Sequence, residues 1–567
     1  LPAFVGLCKP RRIGSSKPSK APRRHPVVTK SKYEYLWLLL PVAFAAWSVS
    51  RVWAVLPSIM GDEYVYTSAA KHLPFAEQFF SNYIFSWVMS ATNMCGNDFY
   101  VCTKSINSVF FALAILFTLL IAIRFLTFRW SVFVASVTAL SPIAIPVSYF
   151  MPEIMYFAAM TGVVLVALWV TDKGKWQLWI FVGISLGLAA LIKPHAIFML
   201  PAFSIFSLVV SYKLASGNWL AGLRSAGSTI FGFFVAKFGL GFLFAGTEGL
   251  KLFGGYGSPV DALNQVVENE APLVSQEAGT SATGLELFAS VAFGHLAMHL
   301  AAVLMFAGLP LLLSLRVLLS VARKPEPVGP VSSLFVLVGL ISFSMISVVA
   351  VFEGYVTTGG DDHSDRLILR YYEFLLPQFL VMGLLLSRFT DSKLIWRTLQ
   401  GGLVIAASLF FSIFYPPNFD QQYADSSALP GLAASGGFFI ALAFAISGAV
   451  VYWIVSPESG NLLFGRVVIP VFLIIALVLS QNKLIEINGT QAYFDQAGWD
   501  SRTYLDNVPG DRILVIGQTR TEVFTVKFWI DQPNIKDLLV LEGSVIPTEN
   551  VSESDYVVTL GNIGIEF

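Results

Sequence analysis

The sequence predicts an α-helical polytopic membrane protein of about thirteen transmembrane helices, followed by a small α/β domain outside the membrane. Three observations carry that expectation. Of 567 residues, 55% are hydrophobic and only 13% charged, about half the charged share of an ordinary soluble domain, and the mean hydropathy is +0.69. The 48 Phe and 13 Trp exceed what a water-bounded core absorbs, so lipid is the solvent that suits this composition. Residues 482–567 then lose that character and alternate short strand and helix patterns.

Residues 1–33 carry Lys9, Arg11, Arg12, Lys17, Lys20, Arg23, Arg24, Lys30 and Lys32 with no acid, in a Pro- and Ser-rich context. That reads as a disordered basic tail. A basic arm can bind nucleic acid, but one placed just before a span reads as a cytoplasmic anchor, and no nucleic-acid partner is expected. The small-residue pattern Ala43-Phe44-Ala45 falls inside the apolar stretch, so the first span is expected to stay uncleaved.

Residues 34–481 form the expected transmembrane domain. Apolar runs lie near 35–57, 105–126, 130–150, 154–171, 176–193, 196–213, 226–245, 288–320, 331–353, 371–387, 400–415, 433–455 and 467–481, and the run at 288–320 is a candidate for a bend. Starting from a cytoplasmic N-terminus, the inner loops collect Arg124 and Arg129, Lys173 and Lys175, Lys213 and Arg224, Arg323 and Lys324, Arg388, Lys393 and Arg397, and Arg466. The outer loops fall near 58–104, 246–287, 354–370 and 416–432, and the C-terminus is extracytoplasmic, in a multi-pass protein of the cell membrane. Cys95 and Cys102 share the first outer loop and can pair in an oxidising compartment.

In the last segment, DRILVIG, KDLLVLEG and DYVVTLG read as strands and TEVFTVKFWI as an amphipathic helix. VIGQTRTE lacks the GxGxxG spacing, so no nucleotide site is assigned. This domain, 482–567, is a candidate for acceptor binding.

The unusual polar residues gather at the outer ends of spans. Asp62 and Glu63 follow the first span in SIMGDEYVYTSAAKH, Glu153 lies in SYFMPEIMYF, Lys193 and His195 in ALIKPHAIF, and Arg366, Arg370, Tyr371 and Tyr372 in GGDDHSDRLILRYYEF. Ionisable groups at membrane depth are costly and mark function. Acids come from the early loops and cations from the later ones, as a transfer away from a phosphate requires. A carboxylate takes the proton of an acceptor hydroxyl while cations hold the phosphate as its charge builds. Structural readings stand beside these. Asp62, Glu63 and Glu153 suit helix starts, Lys193 suits snorkelling to the interface, and His195 suits packing. Arg366 and Arg370 have Asp361, Asp362 and Asp365 as nearby partners.

The ordered motifs Gly61-Asp62-Glu63-Tyr64-Val65-Tyr66, the aromatic segment PFAEQFFSNYIFSWVMSATN, MPEIMYF, LIKPHAIFMLP and RLILRYYEFLLP resemble the GT-C glycosyltransferases over roughly residues 35 to 390. The similarity is to the aminoarabinose, mannosyl and arabinofuranosyl transferase families, which use polyprenyl-phosphate-linked sugars at the outer membrane face. The resemblance implies a hexosyl- or pentosyltransferase acting, with inversion, on a hydroxyl of an envelope glycan, lipid or protein. It implies Asp62 as the first candidate for the base, with Glu63 and Glu153 supporting the base or the acceptor, and leaves the division of labour between Asp62 and Glu63 open. It further implies Lys193, Arg366, Arg370 and Tyr371 at the donor phosphate and Tyr64, Tyr66 and His195 at the substrate.

A transporter or flippase of a lipid-linked sugar is the alternative, disfavoured because the charges collect at one face and no paired repeats are evident. No cofactor is required. For a divalent cation the candidates are Asp361, Asp362, His363 and Asp365. His295 and His299 have ligand spacing on one helix face but no third ligand nearby in sequence.

Overall fold

The structure is a computed structural model that describes residues 32–252, 284–323, 327–358, 365–389, 393–541, 543, 545–547, 551, 554–561 and 563–566. Most of the basic tail, most of the 252–284 loop and the candidates Asp361, Asp362 and His363 therefore lie outside the described residues. The chain forms two units, 1–39 and 40–567. The described part of the first is the 3-10 helix Lys32–Leu38 with the first residue of the helix that follows.

The helices that build the site are α1 (Leu39–Val52), α2 (Met60–Lys71), α3 (Phe99–Phe125), α4 (Glu153–Lys173), α5 (Trp179–Ile192), α6 (Leu200–Leu214) and α7 (Trp219–Ala245). They continue with α8 (Gly284–Arg323), α9 (Pro330–Thr358), α10 (Leu376–Leu385), α11 (Leu394–Asn418), α12 (Gly437–Val455) and α13 (Ile469–Asn488). Among the described residues, ten helices are long and apolar enough to cross a membrane, or eleven if the bent pair Phe128–Ala139 and Pro142–Ser148 counts as one span. The chain is a multi-pass membrane protein.

The difference from about thirteen spans has a local cause. The run at 176–193 is an apolar helix over Trp176–Ile192, shorter than the other spans. The run at 371–387 is cut into a 3-10 turn at Glu373–Leu375, the ten-residue helix α10 and a second 3-10 turn. Pro377, in the first turn of α10, suits a helix that starts afresh there. The bend expected in 288–320 is present: Ala307 leaves helical geometry at φ −141°, three residues before Pro310, which lacks the N–H that would continue the ladder.

The spans are arranged as lipid requires. On α3, Val109, Leu116 and Ile123 are exposed on one stripe, while Lys104, Asn107 and Thr118 are buried on the opposite side. Where α5 crosses α7 the backbones nearly touch. A Cβ on Gly183 would stand 2.0 Å from the Thr229 carbonyl oxygen, and one on Gly232 2.4 Å from that of Ile180, so only glycine fits this crossing.

The C-terminal region is an α/β unit, as the strand and helix patterns predict. Helix α14 (Tyr493–Leu505) precedes β1 (Ile513–Gly517), α15 (Arg520–Ile530), β2 (Lys536–Leu539), β3 (Val545–Pro547), β4 (Tyr556–Thr559) and β5 (Gly564–Glu566). Strand β1 is central and parallel to both neighbours in the order β2-β1-β4, with Val515 opposite Asp537 and Val558, and β3 pairs with β5. The α15 start is a capping box, Thr519 accepting from the Glu522 amide while Glu522 accepts from that of Thr519.

This unit seats directly on α2. The Tyr64 hydroxyl donates to the Gln532 carbonyl and accepts from the Ile535 amide, both at 3.2 Å. Asp531 takes Lys71 as a close ion pair, with His72 at 3.1 Å and Arg502 at 3.2 Å. Burial pushes the Asp531 carboxyl up, but the His72 hydrogen bond and the Lys71 charge outweigh it, so it sits below the ordinary 3.8. A carboxyl depressed on folding stabilises the fold above its unfolded value, and that contribution is lost as pH falls through the folded value. The seating on α2 is thus expected to resist protease at neutral pH and to loosen below pH 3.8. Asp531→Asn is expected to be protease-sensitive already at neutral pH, and equal protection of both proteins would refute this account of the contact.

Candidate active site

The chain leaves α1 through residues 53–59 and enters α2 at Met60. Two adjacent acids then point in different directions, because successive helical residues diverge by about 100°. Glu63 turns inward and is fully buried. Its Oε2 accepts from the amides of Ser58 at 2.8 Å and Ile59 at 2.9 Å, and its Oε1 from the Phe150 amide at 2.8 Å. Burial pushes the Glu63 carboxyl above its ordinary value, against the downward pull of the backbone hydrogen bonds from Ile59, Phe150 and Ser58. The Glu63 carboxylate therefore caps the helix start and ties it to the 148–150 segment. Glu63→Ala strands those three amides, at about 1–3 kcal/mol for each one buried without a partner. A large fall in thermal stability is expected, and a smaller one for Glu63→Gln, which keeps an acceptor oxygen. A Glu63→Ala protein of wild-type stability but without activity would instead assign Glu63 to the chemistry.

Asp62 turns outward. Its side chain is 42% exposed, and its Oδ2 lies 3.1 Å from Nη2 of Arg370. Glu153, at the first turn of α4 after Pro152, is buried and meets Nζ of Lys193 at 2.5 Å, with Nη1 of Arg370 at 3.8 Å from the same oxygen. Lys193 sits at the break between α5 and the 3-10 turn that leads into α6, where Pro194 follows. The extended backbone there lets a buried ammonium reach sideways. The Tyr371 ring packs over that ammonium, 4.6 Å from centroid to Nζ, and stacks on His195 at 3.9 Å. Two carboxylates and two cations from four separated stretches of sequence thus meet at one place. Within it, Nε and Nη1 of Arg370 are buried without an aligned protein hydrogen bond, which leaves donor capacity for the oxygens of a ligand, and Oε2 of Glu153 is a buried acceptor without one.

Arg366 stands beside this group with a fork on Asp425, Nε to Oδ2 at 3.0 Å and Nη2 to Oδ1 at 2.5 Å. The Arg370 amide donates to the Asp425 carbonyl at 2.9 Å. Among the described residues Asp425 is thus a partner of Arg366, while Asp361 and Asp362, two of the three acids expected there, lie outside the described residues. The Asp365 carbonyl accepts from the Asp420 amide at 2.6 Å, a backbone contact. The structure gives Tyr64 and Tyr66 partners other than a substrate: Tyr64 holds the C-terminal unit, and Tyr66 is buried between Phe80 and Phe85 at 5.6 Å from each. His195 is likewise buried in packing against Tyr371.

A second set of residues escaped the sequence reading although its signal was present. Tyr100, Lys104 and Asn107 form an i, i+4, i+7 polar stripe on the otherwise apolar α3. The Tyr100 hydroxyl donates to the Ser148 carbonyl at 2.6 Å. Lys104 donates to the Trp53 and Val55 carbonyls at 2.7 and 2.6 Å, and Asn107 to the Tyr149 carbonyl at 2.7 Å. This stripe pins the two segments that present Asp62 and Glu153. Close by, Cys95 and Cys102 are joined by a disulfide just before and inside α3.

No protein-family model and no curated protein matches the chain. Solved structures do. ArnT from Cupriavidus metallidurans, solved bound to undecaprenyl phosphate, has 14% identity and a TM-score of 0.43 over 90% of this chain and 86% of its own. The oligosaccharyltransferase AglB from Archaeoglobus fulgidus, solved with an inhibitory peptide and a dolichol-phosphate, has 13% identity and a TM-score of 0.41. That match covers 94% of this chain and 65% of AglB. Arabinosyltransferase EmbB from Mycobacterium smegmatis has 12% identity and a TM-score of 0.41, covering 86% of this chain and 43% of its own. These are likenesses of fold; the roles of individual side chains rest on the distances within this chain.

Proposed function

We propose that the chain is a membrane glycosyltransferase that moves one sugar from a polyprenyl-phosphate-linked donor to a hydroxyl of an envelope glycan, lipid or protein. The observation that carries the reading is the pairing of an accessible carboxylate, Asp62, with a buried cation, Arg370, beside a second buried pair, Glu153 and Lys193. The two carboxylates and two cations balance. A donor phosphate brings negative charge that competes with Asp62 for Arg370, and its binding frees Asp62 to face the acceptor.

The chemistry then balances within the site. The acceptor oxygen attacks the anomeric carbon, the bond from that carbon to the phosphate oxygen breaks, and the electron pair stays on the phosphate. Asp62 takes the hydroxyl proton, while Arg370 and Lys193 stabilise the charge that builds on the leaving oxygens. Displacement in one step inverts the anomeric centre. Glu153 and Asp425 are positioning residues: the first holds Lys193 and Arg370 together, and the second aims Arg366 and fixes the Arg370 backbone. Tyr371 and His195 form the apolar wall against which Lys193 stays extended. The active site faces the extracytoplasmic side, following the distribution of basic loops.

The test uses purified protein in liposomes with radiolabelled polyprenyl-phosphate sugars and an envelope fraction. Label is expected to enter the envelope fraction with release of one polyprenyl phosphate per sugar. Exchange of labelled lipid across the bilayer without glycosidic product would show a flippase instead.

A further inference from the structure

Among the described residues, one cluster of metal-ligating side chains apart from the catalytic group is buried. Helix α8 places His295 and His299 one turn apart, and α9 supplies Glu353 opposite them; all three are buried. Nε2 of His299 lies 2.7 Å from Oε2 of Glu353, and Nδ1 of His295 lies 2.8 Å from that same oxygen. The three donor atoms all fall within 4.8 Å of one another. Two imidazoles converging on one carboxylate oxygen is an uneconomical way to satisfy hydrogen bonds, and Nδ1 of His295 has no aligned one.

Two further polar atoms of the cluster are tied down. Nδ1 of His299 is 2.7 Å from the Tyr372 hydroxyl, and Oε1 of Glu353 accepts from the Ile368 amide at 2.8 Å. Such outer contacts orient the rings and carboxylates of metal sites and fix which nitrogen is free to bind. Two imidazoles and one carboxylate are the donor set of zinc, at about 2.0–2.2 Å from each ligand atom. In a tetrahedral site of that size the ligand atoms stand about 3.4 Å apart. The observed spacings of 2.7 and 2.8 Å reach it by small side-chain shifts in an already converged site.

We propose that His295, His299 and Glu353 bind one zinc ion, through Nδ1, Nε2 and Oε2 respectively, and that this ion fastens the 366–372 segment to the α8–α9 pair. Both outer ties, Ile368 and Tyr372, belong to the stretch that carries Arg366, Arg370 and Tyr371. The ion is a positioning element that lies outside the group of Asp62, Glu153, Lys193 and Arg370. Its binding does not depend on the transferase reading and is tested separately from it.

The full chain, purified in detergent and stripped of metal by dialysis, is titrated with zinc under elemental analysis and with cobalt(II) as an absorbing probe. One equivalent is expected, with the ligand-field spectrum of a low-coordinate nitrogen–oxygen site. His295→Gln and Glu353→Gln, checked for folding by circular dichroism and gel filtration, are expected to bind at least 100-fold more weakly. Tyr372→Phe removes a single hydroxyl outside the ligand set and is expected to weaken binding 10–100-fold, which keeps the test open if a ligand variant does not fold. Wild-type protein that takes up no zinc, or folded ligand variants that bind as the wild type does, would overturn the proposal. Tyr372→Phe binding at wild-type affinity would overturn the tie to the 366–372 segment.

Discussion

Asp62→Asn is expected to lower sugar transfer about 100- to 10,000-fold, the range for loss of a general base, while leaving donor binding and thermal stability near wild type. The side chain is 42% exposed and its ion pair with Arg370 is at 3.1 Å. Arg370 keeps the Glu153 carboxylate at 3.8 Å as a counter-charge, so the guanidinium is not left unpaired. Asparagine keeps the shape and the hydrogen-bonding oxygen but cannot accept the acceptor's proton. Removing the carboxylate also frees Arg370 from its competitor, so donor binding is expected to stay the same or tighten. Transfer rates separate this from a structural effect, with bound polyprenyl-phosphate lipid measured in parallel. A folded, donor-binding Asp62→Asn protein that transfers at the wild-type rate would remove Asp62 from the chemistry.

Glu153→Leu is expected to damage both stability and transfer. Its carboxylate is 3% exposed and meets a Lys193 side chain that is 2% exposed. Deleting the acid leaves a buried ammonium without its partner, a loss of about 3–5 kcal/mol, and also releases the guanidinium of Arg370. Replacing both members of such a pair by apolar groups removes the stranded charge and often restores stability. The double variant Glu153→Leu, Lys193→Met is therefore expected to melt near the wild type and yet transfer no sugar. Thermal denaturation in detergent and the transfer assay read the two effects apart. A double variant that is stable and active would show that the pair serves the fold alone.

The features visible in the sequence were those carried by local pattern. Apolar runs located the helices, the alternation after residue 482 located the strands and α15, and charge clustering singled out Asp62, Glu153, Lys193, Arg366 and Arg370. What stayed hidden depended on contacts between distant segments. Asp62 and Glu63 are neighbours, and which one turns inward depends on the Ser58 and Ile59 amides and on the distant Phe150 amide that together hold Glu63. Arg366 also forks onto Asp425, which comes from the stretch after α11 and is not near it in sequence. Tyr64 looked like part of an exposed motif because the unit that covers it begins more than 400 residues later. The His295–His299 pair lacked a third ligand in sequence because Glu353 is supplied across a helix–helix contact. The polar stripe Tyr100, Lys104 and Asn107 was legible by periodicity, since three polar groups on one face of an apolar span must have partners.

The most direct test of single-step displacement assisted by Asp62 is the anomeric configuration of the product, read by NMR on the glycoside formed from a donor of known configuration. The account predicts inversion. A product with the configuration of the donor retained would contradict it, because retention requires two displacements and a nucleophile that this arrangement does not assign.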